Sequence, residues 1–300
     1  LIQMLTDLND YSIGIEDVLK EHFDEENIVY WMAFQILMGN VDTQNRNVYL
    51  YSPLNSDIWY FIAWDNDGCL MRPEYELRNF SDQNSWEKGI SNYWGNILFQ
   101  RCLKSRSFRE KLNDAILDLR EYLNKDMLTS KIESYKNVLK PYLYLMPDAE
   151  YEPLTSEQYD QIAASLPDEI EKNYQLYLES LETPMPFYIG VPTIDGDKLK
   201  FNWDVSYDLD AEDITYSVEV ARDYLFRDVI YQNTTLTVPE AEMDLPKAGQ
   251  YFVRVRATNT SGKTQDAFDY YVTDEGKHYG MKCFYITEDS TVEEDNYEEG

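Results

Sequence analysis

The sequence predicts an α+β protein in which a mainly helical first part with one central β-hairpin is followed by an all-β sandwich. Three observations support this fold class. Apolar residues recur at helical spacing up to about residue 181, a β-like stretch interrupts them at 48–64, and alternating segments fill 198–273. With about 150 residues per domain as a prior, the 300 residues suffice for two domains.

The first part begins with helical segments. The stretch 27–40, NIVYWMAFQILMGN, is strongly apolar and ends in Gly39 and Asn40, a common helix stop, so we expect a buried helix. The segment 108–124 follows a helical period. Its predicted buried face comprises Phe108, Leu112, Ala115, Ile116, Leu119 and Leu123.

Between these helices, residues 48–64 change period. VYLY (48–51) and IWYFIAW (58–64) are rich in β-branched and aromatic residues, and SPLNSD (52–57) between them has the composition of a turn. This pattern predicts a β-hairpin.

A further helix is predicted after the hairpin and the helices that follow it. Thr155 and Gln158 have the spacing of a capping box. The helix they open is expected to run to about Leu181, with a break near Pro167, and TPMP (183–186) ends the helical part.

The remaining sequence alternates with period two. Strands are predicted at 198–205, 214–221, 234–239, 249–259 and 267–273, at intervals suited to a sandwich. The segment 287–300 holds seven acids and no base, so we expect it to be disordered. The predicted domains are therefore 1–183 and 184–273, with an acidic tail at 274–300.

Charge and composition exclude several classes of protein. Lys and Arg total 26 against 56 Asp and Glu, a formal net charge of −30, which disfavours nucleic acid and anionic membranes as partners. The sequence contains no run of 18 apolar residues, so it predicts no membrane span. Two His and three Cys without a CxxC spacing leave little for a His-based triad or a disulfide framework, although one Cys pair could bridge. The chain starts at Leu1 without Met, so we expect a processed or truncated piece.

Polar residues with metal-binding chemistry flank the predicted hairpin. Asp42 and Asn47 precede it, and Asp65 and Asp67 follow it. Carboxylate and amide oxygens at a strand end suit Mg²⁺ or Mn²⁺, with substrate phosphates as further ligands.

The expected strand pairing brings these residues together. If 48–51 pairs antiparallel with 58–61, Asn47 lies beside about Ile62, and the loop with Asp42 folds over the end of the second strand. Because paired strands lie about 4.8 Å apart, one ion could then reach both loops.

Phosphoryl transfer needs such a set of residues. An Asp orients the attacking hydroxyl, and an Asn and a second Asp hold the metal ions that neutralise the phosphates. Protein kinases place Asp and Asn as Asp-x-x-x-x-Asn, followed by two short strands and a metal-binding Asp. Asp42 and Asn47 have this spacing, and Asp65 follows the hairpin.

The run FQILMGNVDTQNRNVYLY (34–51) followed by WYFIAWDNDG (59–68) resembles the CotH family, the atypical secreted kinases similar to spore coat protein H. The family pattern is similar to GNxDxxxxNxxLY followed by a Trp-rich strand ending in WDxD, and residues 94–112 resemble its helical continuation. The resemblance covers about residues 1–180. It implies a kinase C-lobe-like fold and ATP-dependent phosphorylation of Ser or Thr on secreted, cell-surface or spore-coat proteins of bacteria.

The resemblance also implies roles for individual residues. Asp42 becomes the acidic residue of the catalytic loop, Asn47 and Asp65 metal ligands, and Asp67 a candidate second metal contact. Arg46 stands where many relatives have His and becomes a candidate phosphate contact, or the partner of an acid. The implied cofactors are ATP with Mg²⁺ or Mn²⁺, and the implied partner is a protein substrate, for which a basic, Ser-rich composition would suit the negative charge.

Other interpretations of the first part stay open. The family's nucleotide-binding lobe precedes this region, and the 40 or so residues before Asp42 show no Gly-rich loop or strand-borne Lys, so a non-catalytic kinase-like scaffold is the alternative. Asp65, Asp67, Gly68 and Glu74 also fit four positions of an EF-hand loop, although the preceding segment reads as a strand. The aromatic surplus allows a carbohydrate-associated surface protein. The oligomeric state is not predicted.

Three further interpretations concern packing and partners. The bases between 101 and 111 predict a solvated helix face, or a docking site for an acidic substrate. Cys69 lacks a nearby His and is expected to be structural. Residues 184–273 resemble a fibronectin type III module, with Trp203 as the early core Trp and Tyr251 as the Tyr that forms a corner hydrogen bond. Such modules bind partners or act as spacers.

Overall fold

The computed structural model describes residues 1–44, 46–70, 86–152, 154–274 and 276–294. This part of the chain holds seven α-helices and thirteen strands, and every pairing between strands is antiparallel. The α+β class is thereby confirmed. The described residues fall into two compact units, residues 1–70 with 96–178 and residues 86–95 with 179–294.

The first unit is mainly helical and contains a single hairpin. Its helices are α1 (Ile2–Asn9), α2 (Ile15–His22), α3 (Glu25–Leu37), α4 (Ile97–Lys104), α5 (Arg106–Tyr122), α6 (Lys125–Leu143) and most of α7 (Ser156–Leu181), and its strands are β1 (Tyr49–Tyr51) and β2 (Tyr60–Ile62).

Helix α3 forms the centre of this unit. Asp24 caps its N-terminus, since the Asp24 side chain accepts a hydrogen bond of 2.9 Å from the backbone N–H of Asn27. Eight of its residues are buried, as the apolar run predicted: Ile28, Val29, Trp31, Met32, Ala33, Gln35, Ile36 and Leu37.

The other predicted helices are present, with two corrections. In α5 the first four residues of the predicted face are buried, but Leu119 and Leu123 are only partly buried. The capping box is confirmed, since the backbone N–H of Gln158 donates to Thr155 Oγ1 (3.2 Å) and the N–H of Thr155 to Gln158 Oε1 (2.8 Å). The predicted break at Pro167 is wrong. Helix α7 continues through this buried residue, because packing compensates for the one missing backbone donor.

The predicted basic face is also wrong at its first residue. Arg101 is 7% exposed, and its guanidinium donates to the carbonyl oxygens of Leu8 and Ile13. Because a buried guanidinium needs acceptors, the end of α1 and the turn after it supply them. Arg101 therefore fixes the N-terminal segment.

The second unit is built from strands. They are β3 (Thr193–Asp195), β4 (Lys198–Asn202), β5 (Ile214–Ala221), β6 (Val229–Leu236), β7 (Glu240–Asp244), β8 (Gly249–Asn259), β9 (Thr264–Asp266), β10 (Tyr270–Thr273), β11 (Gly276–Tyr279), β12 (Met281–Ile286) and β13 (Val292–Glu294). The larger sheet has the order β13-β12-β8-β5-β6 with β9 beside β8, and β3-β4-β7 form a second sheet.

Both sheets contribute to one hydrophobic core. Leu199 and Phe201 of β4 pack with Val218 of β5 and Val253 of β8 in a single buried cluster. The predicted corner hydrogen bond is confirmed, since Tyr251 Oη donates to the carbonyl of Lys247 at 2.7 Å. The predicted strand at 234–239 instead spans the end of β6 and the connection to β7.

The segment expected to be an acidic, disordered tail is ordered over its described residues. β12 pairs with β8 over six residues, and a turn closed by Thr287 and Thr291 returns the chain along β12 as β13. Strand pairing satisfies backbone groups whatever the side chains are, so exposed acids such as Glu293 are tolerated there. Residues 295–300 lie outside the described residues.

None of the helices in the described ranges is both long and apolar enough to cross a membrane.

Candidate functional site

The hairpin β1–β2 ends where the predicted site begins. Tyr49 pairs with Ile62, so the register is two residues away from the expected one. If this register is extended beyond the paired residues, Asn47 lies opposite Trp64, the neighbour of Asp65 in the sequence, instead of opposite Ile62. The ring centroids of Tyr49 and Trp64 lie 5.0 Å apart, which shows that the two segments of the hairpin stay adjacent beyond the last paired residues.

The backbone turns sharply just before β1 and again just after β2. Asn47 and Asp65 have φ values of 53° and 51°, in the left-handed region that Asn and Asp tolerate better than most residues. Asp65 is exposed and Asn47 partly buried. These residues are therefore held by backbone conformation at the open end of the hairpin.

The chain leaving α3 is held by the side chain of Asn40, which is 2% exposed. Its backbone N–H donates to the Gln35 carbonyl at 3.0 Å. Its Oδ1 accepts from the backbone N–H of Asp42 at 3.3 Å, and its backbone carbonyl accepts from Thr43 Oγ1 at 3.1 Å. Asn40 thus fixes the short 3₁₀ turn Val41–Thr43 that carries Asp42.

The same side chain holds the second loop. Asn40 Nδ2 donates to Asn66 Oδ1 at 3.3 Å, and Gln35 Nε2 donates to the same oxygen at 3.1 Å. Asn66 lies between Asp65 and Asp67 in sequence. One carboxamide, that of Asn40, therefore connects the Asp42 loop to the loop with the two later acids.

The structure thus brings the loops of all five predicted site residues to one end of the hairpin. Asp42 is partly buried in its 3₁₀ turn, and Arg46 is exposed between that turn and β1. Asp67 is exposed within the 3₁₀ turn Asn66–Gly68. Of the EF-hand residues, Glu74 lies outside the described residues, and the segment before Asp65 is a strand.

Comparison with models of known protein families shows the family of this chain. The family model described as CotH kinase protein matches residues 1–177, more than half of the chain. The chain belongs to the CotH kinase family.

Other comparisons give little more. Among solved structures, the twitchin kinase region from C. elegans (Fn31-NL-kin-CRD-Ig26) is 16% identical with a TM-score of 0.24, covering 32% of this chain and 20% of that one. The surface layer protein SbsC, domains 1-6, is 13% identical with a TM-score of 0.17, covering 70% and 32%. These scores are too low to indicate a shared fold. No curated protein matches the chain.

The donor set at this end of the hairpin suits a hard divalent cation. Asp65, Asp67 and Asn47 offer carboxylate and amide oxygens, and Asp42 stands on the connected loop. Within the described ranges, no group of three or more His, Cys, Asp or Glu side chains is placed to hold a metal ion. Mg²⁺ in phosphoryl-transfer sites is usually held by one or two carboxylates, with phosphates and water completing its coordination, so the residues fit this kind of site.

Sequence reasoning missed the amides that support the candidate site loops. Gln35 is the one amide side chain in the apolar run 28–38, which is a usable signal because a buried amide requires hydrogen-bond partners. Asn173 of α7 gives no such signal. Its Nδ2 donates to the Leu37 carbonyl at 2.9 Å, so it satisfies the end of α3 just before Gly39.

Cys69 directly follows the 3₁₀ turn Asn66–Gly68 that carries Asp67. Burial, reinforced by the negative charge of Asp67, raises the pKa of its thiol to about 12, while a hydrogen bond with Asn40 opposes the shift. A neutral, partly buried thiol is a poor nucleophile, which supports the structural role expected for this residue.

We expect Cys69 to resist alkylation. At pH 8 the folded protein should react with iodoacetamide at this residue roughly 1000-fold more slowly than the unfolded chain, because the thiolate fraction falls with the raised pKa. The stability gained from burying the neutral thiol is present below the unfolded pKa of about 8.5 and is lost as the pH rises toward the folded value. Peptide mapping by mass spectrometry measures this, and labelling at the rate of the unfolded chain would contradict it.

Proposed function

We propose that this chain is the catalytic region of a CotH-type protein kinase, which transfers the γ-phosphoryl group of ATP to a Ser or Thr hydroxyl of a protein. The observation that carries the proposal is the connection through Asn40, which holds the Asp42 turn and the Asp65–Asp67 loop against each other. Family membership supports a kinase-like activity.

The proposed roles follow from the chemistry of each side chain. Asp42 accepts a hydrogen bond from the attacking hydroxyl, orients it and takes its proton. Asn47, Asp65 and Asp67 would hold Mg²⁺ or Mn²⁺, which when bound neutralises phosphate charge. Arg46, exposed beside the same loop, contacts a phosphate oxygen of ATP, for which a guanidinium has suitable donors.

The proposed substrate is a secreted, cell-surface or spore-coat protein. A basic, Ser-rich substrate suits a chain with a net charge of −30. The strands after residue 183 form a fibronectin type III-like module in this proposal, which binds a partner or acts as a spacer. The confirmed corner hydrogen bond of Tyr251 supports that comparison.

A phosphorylation assay with a matched pair of variants tests the proposal. Asp65→Asn keeps the size of the side chain and its tolerance of a positive φ, but removes the charge. We expect it to weaken metal-dependent ATP binding and transfer by at least about 100-fold, as loss of a charged ligand to a metal–phosphate complex would. The control is Asp57→Asn, an exposed acid between β1 and β2, which should stay within about twofold of wild type.

Calorimetry on the same proteins distinguishes the alternative. A non-catalytic scaffold binds no ATP in the presence of Mg²⁺ or Mn²⁺, and that result would refute the kinase proposal for this chain. Equal losses in both variants would show that general charge, and not the position of Asp65, determines binding.

A further inference from the structure

Helix α6 exposes a row of large apolar side chains. Its members are between 52% and 74% exposed. They are Tyr135, Val138, Leu139 and Tyr142 on the helix and Leu145 and Met146 just beyond its end, which together we call the α6 stripe. The spacing of three and four residues places the helical members on one face.

This helix lacks the burial that usually stabilises a helix. Of its 19 residues only Leu128 is buried. The side facing the protein packs against the start of α7, where the ring of Tyr144 lies 6.3 Å from that of Tyr159. Most helical stability in proteins comes from packing an apolar face. We therefore expect the exposed face of α6, which carries the α6 stripe, to pack against a partner.

The size of the stripe suits a protein interface. Its six side chains are each at least half exposed, and with up to about 250 Å² for an aromatic side chain they present on the order of 600–800 Å² of apolar surface. The largest exposed patch on an ordinary monomer is about 300–600 Å². A stable interface buries about 800 Å² on each partner, so the stripe is large enough to form one.

The charges around the stripe select the kind of partner. Residues 134–147 contain no acid, although the chain has a net charge of −30. Lys136 and Lys140, the two bases there, lie 2.6 Å from carboxylate oxygens of Glu133 and Asp160. An anionic membrane or an acidic partner would need several bases that are not already paired. Lys131, an exposed base one turn before Tyr135, adds only a single positive charge, so this surface is apolar and close to neutral.

A locally neutral surface is also where two copies of a strongly acidic chain can approach each other. Elsewhere the surplus acids of the two copies would repel. The helical part of the stripe is roughly symmetric about Val138 and Leu139, with Tyr135 on one side and Tyr142 on the other, so two antiparallel copies match each other. A surface that matches itself is what a two-fold dimer requires.

We propose that a second copy of this chain covers the α6 stripe, forming a two-fold dimer in which the α6 helices cross antiparallel near Val138 and Leu139. Each Tyr135 then packs beside Tyr142 of the other copy. The dimer depends on the stripe alone and is independent of the proposed phosphoryl transfer.

Sedimentation equilibrium of the full chain tests the dimer. Wild type should fit a monomer–dimer equilibrium. Leu139→Glu should raise the dissociation constant by at least about 100-fold, since each copy would bury an unpaired charge in an apolar contact. The matched control is Leu117→Glu on α5, a Leu that is 44% exposed outside the stripe, which should dimerise as wild type does.

Circular dichroism should show both variants folded, because both positions are exposed. A wild-type chain that stays monomeric at every concentration would overturn the proposal, including one that instead binds anionic vesicles or an acidic protein. A Leu139→Glu chain that dimerises as tightly as wild type would also overturn it.

Discussion

Replacing Asp42 by Asn is expected to lower phosphoryl transfer by a factor of about 10²–10⁴, the usual contribution of a positioned general base. The variant keeps the shape of the side chain but cannot accept the proton of the attacking hydroxyl. The hydrogen bond from the backbone N–H of Asp42 to Asn40 Oδ1 does not involve the side chain, so the substitution should leave this contact of the turn in place.

The measurement is a single-turnover assay at saturating Mn²⁺ and ATP. Because the proposed metal ligands are unchanged, the ATP dissociation constant should stay within about threefold of wild type, less than the about 1.4 kcal/mol of a tenfold change. Asp57→Asn again serves as the control. Transfer that falls by less than tenfold would contradict the role given to Asp42, whatever happens to binding.

Gly39→Ala is expected to destabilise the first unit by about 2–5 kcal/mol. Gly39 has a φ of +63°, and a Cβ there would lie 2.7 Å from Asn173 Nδ2. The left-handed conformation costs a non-Gly residue about 1–2 kcal/mol. Moving Asn173 would also break its bond to the Leu37 carbonyl, a further loss of about 1–3 kcal/mol. Urea unfolding followed by circular dichroism measures the change.

Two further variants test whether the positive φ of Gly39 and the contact with Asn173 cause the loss of stability in Gly39→Ala. Gly14→Ala changes a glycine with a φ of −62° and only flexible acid side chains nearby, so it should cost less than about 1 kcal/mol. In the double variant Gly39→Ala, Asn173→Ala the clash is absent, so the loss should be smaller than the sum of the single losses. Additive losses would show that Asn173 does not limit this position.

The elements that the sequence predicted well are those with strong local signals. The apolar run of α3, the face of α5 up to Ile116 and the capping box at Thr155 all depend on residues within one or two turns of each other. The two strands of the hairpin were likewise predicted from composition and alternation within a few residues.

The hairpin register shows where such signals fail. Alternation fixes which face each side chain occupies, and a shift of one residue would reverse the faces. A shift of two residues leaves them unchanged, so the pattern could not distinguish Ile62 from Trp64 as the counterpart of Asn47. The observed register brings Asn47 closer to Asp65 than the expected one did.

The support of the site could not be predicted for a different reason. Asn40 was interpreted as a helix stop, and its bonds to Asn66 and Asp42 join segments whose closeness is set by the whole fold. Hydrogen bonds between amides have no period in the sequence. The acids near Glu293 led to a prediction of disorder where the structure has a strand. Backbone groups make the pairing with β12, and composition does not report these groups.

The most direct test of the account is a crystal structure of the chain grown with Mn²⁺ and a non-hydrolysable ATP analogue, with an anomalous difference map to locate manganese. We predict a manganese peak within coordinating distance of Asp65 and of Asn47 or Asp67, with the Asp42 carboxylate facing the terminal phosphate of the analogue. Manganese and nucleotide bound away from the open end of the hairpin, or Asp42 directed away from the phosphates, would contradict the account.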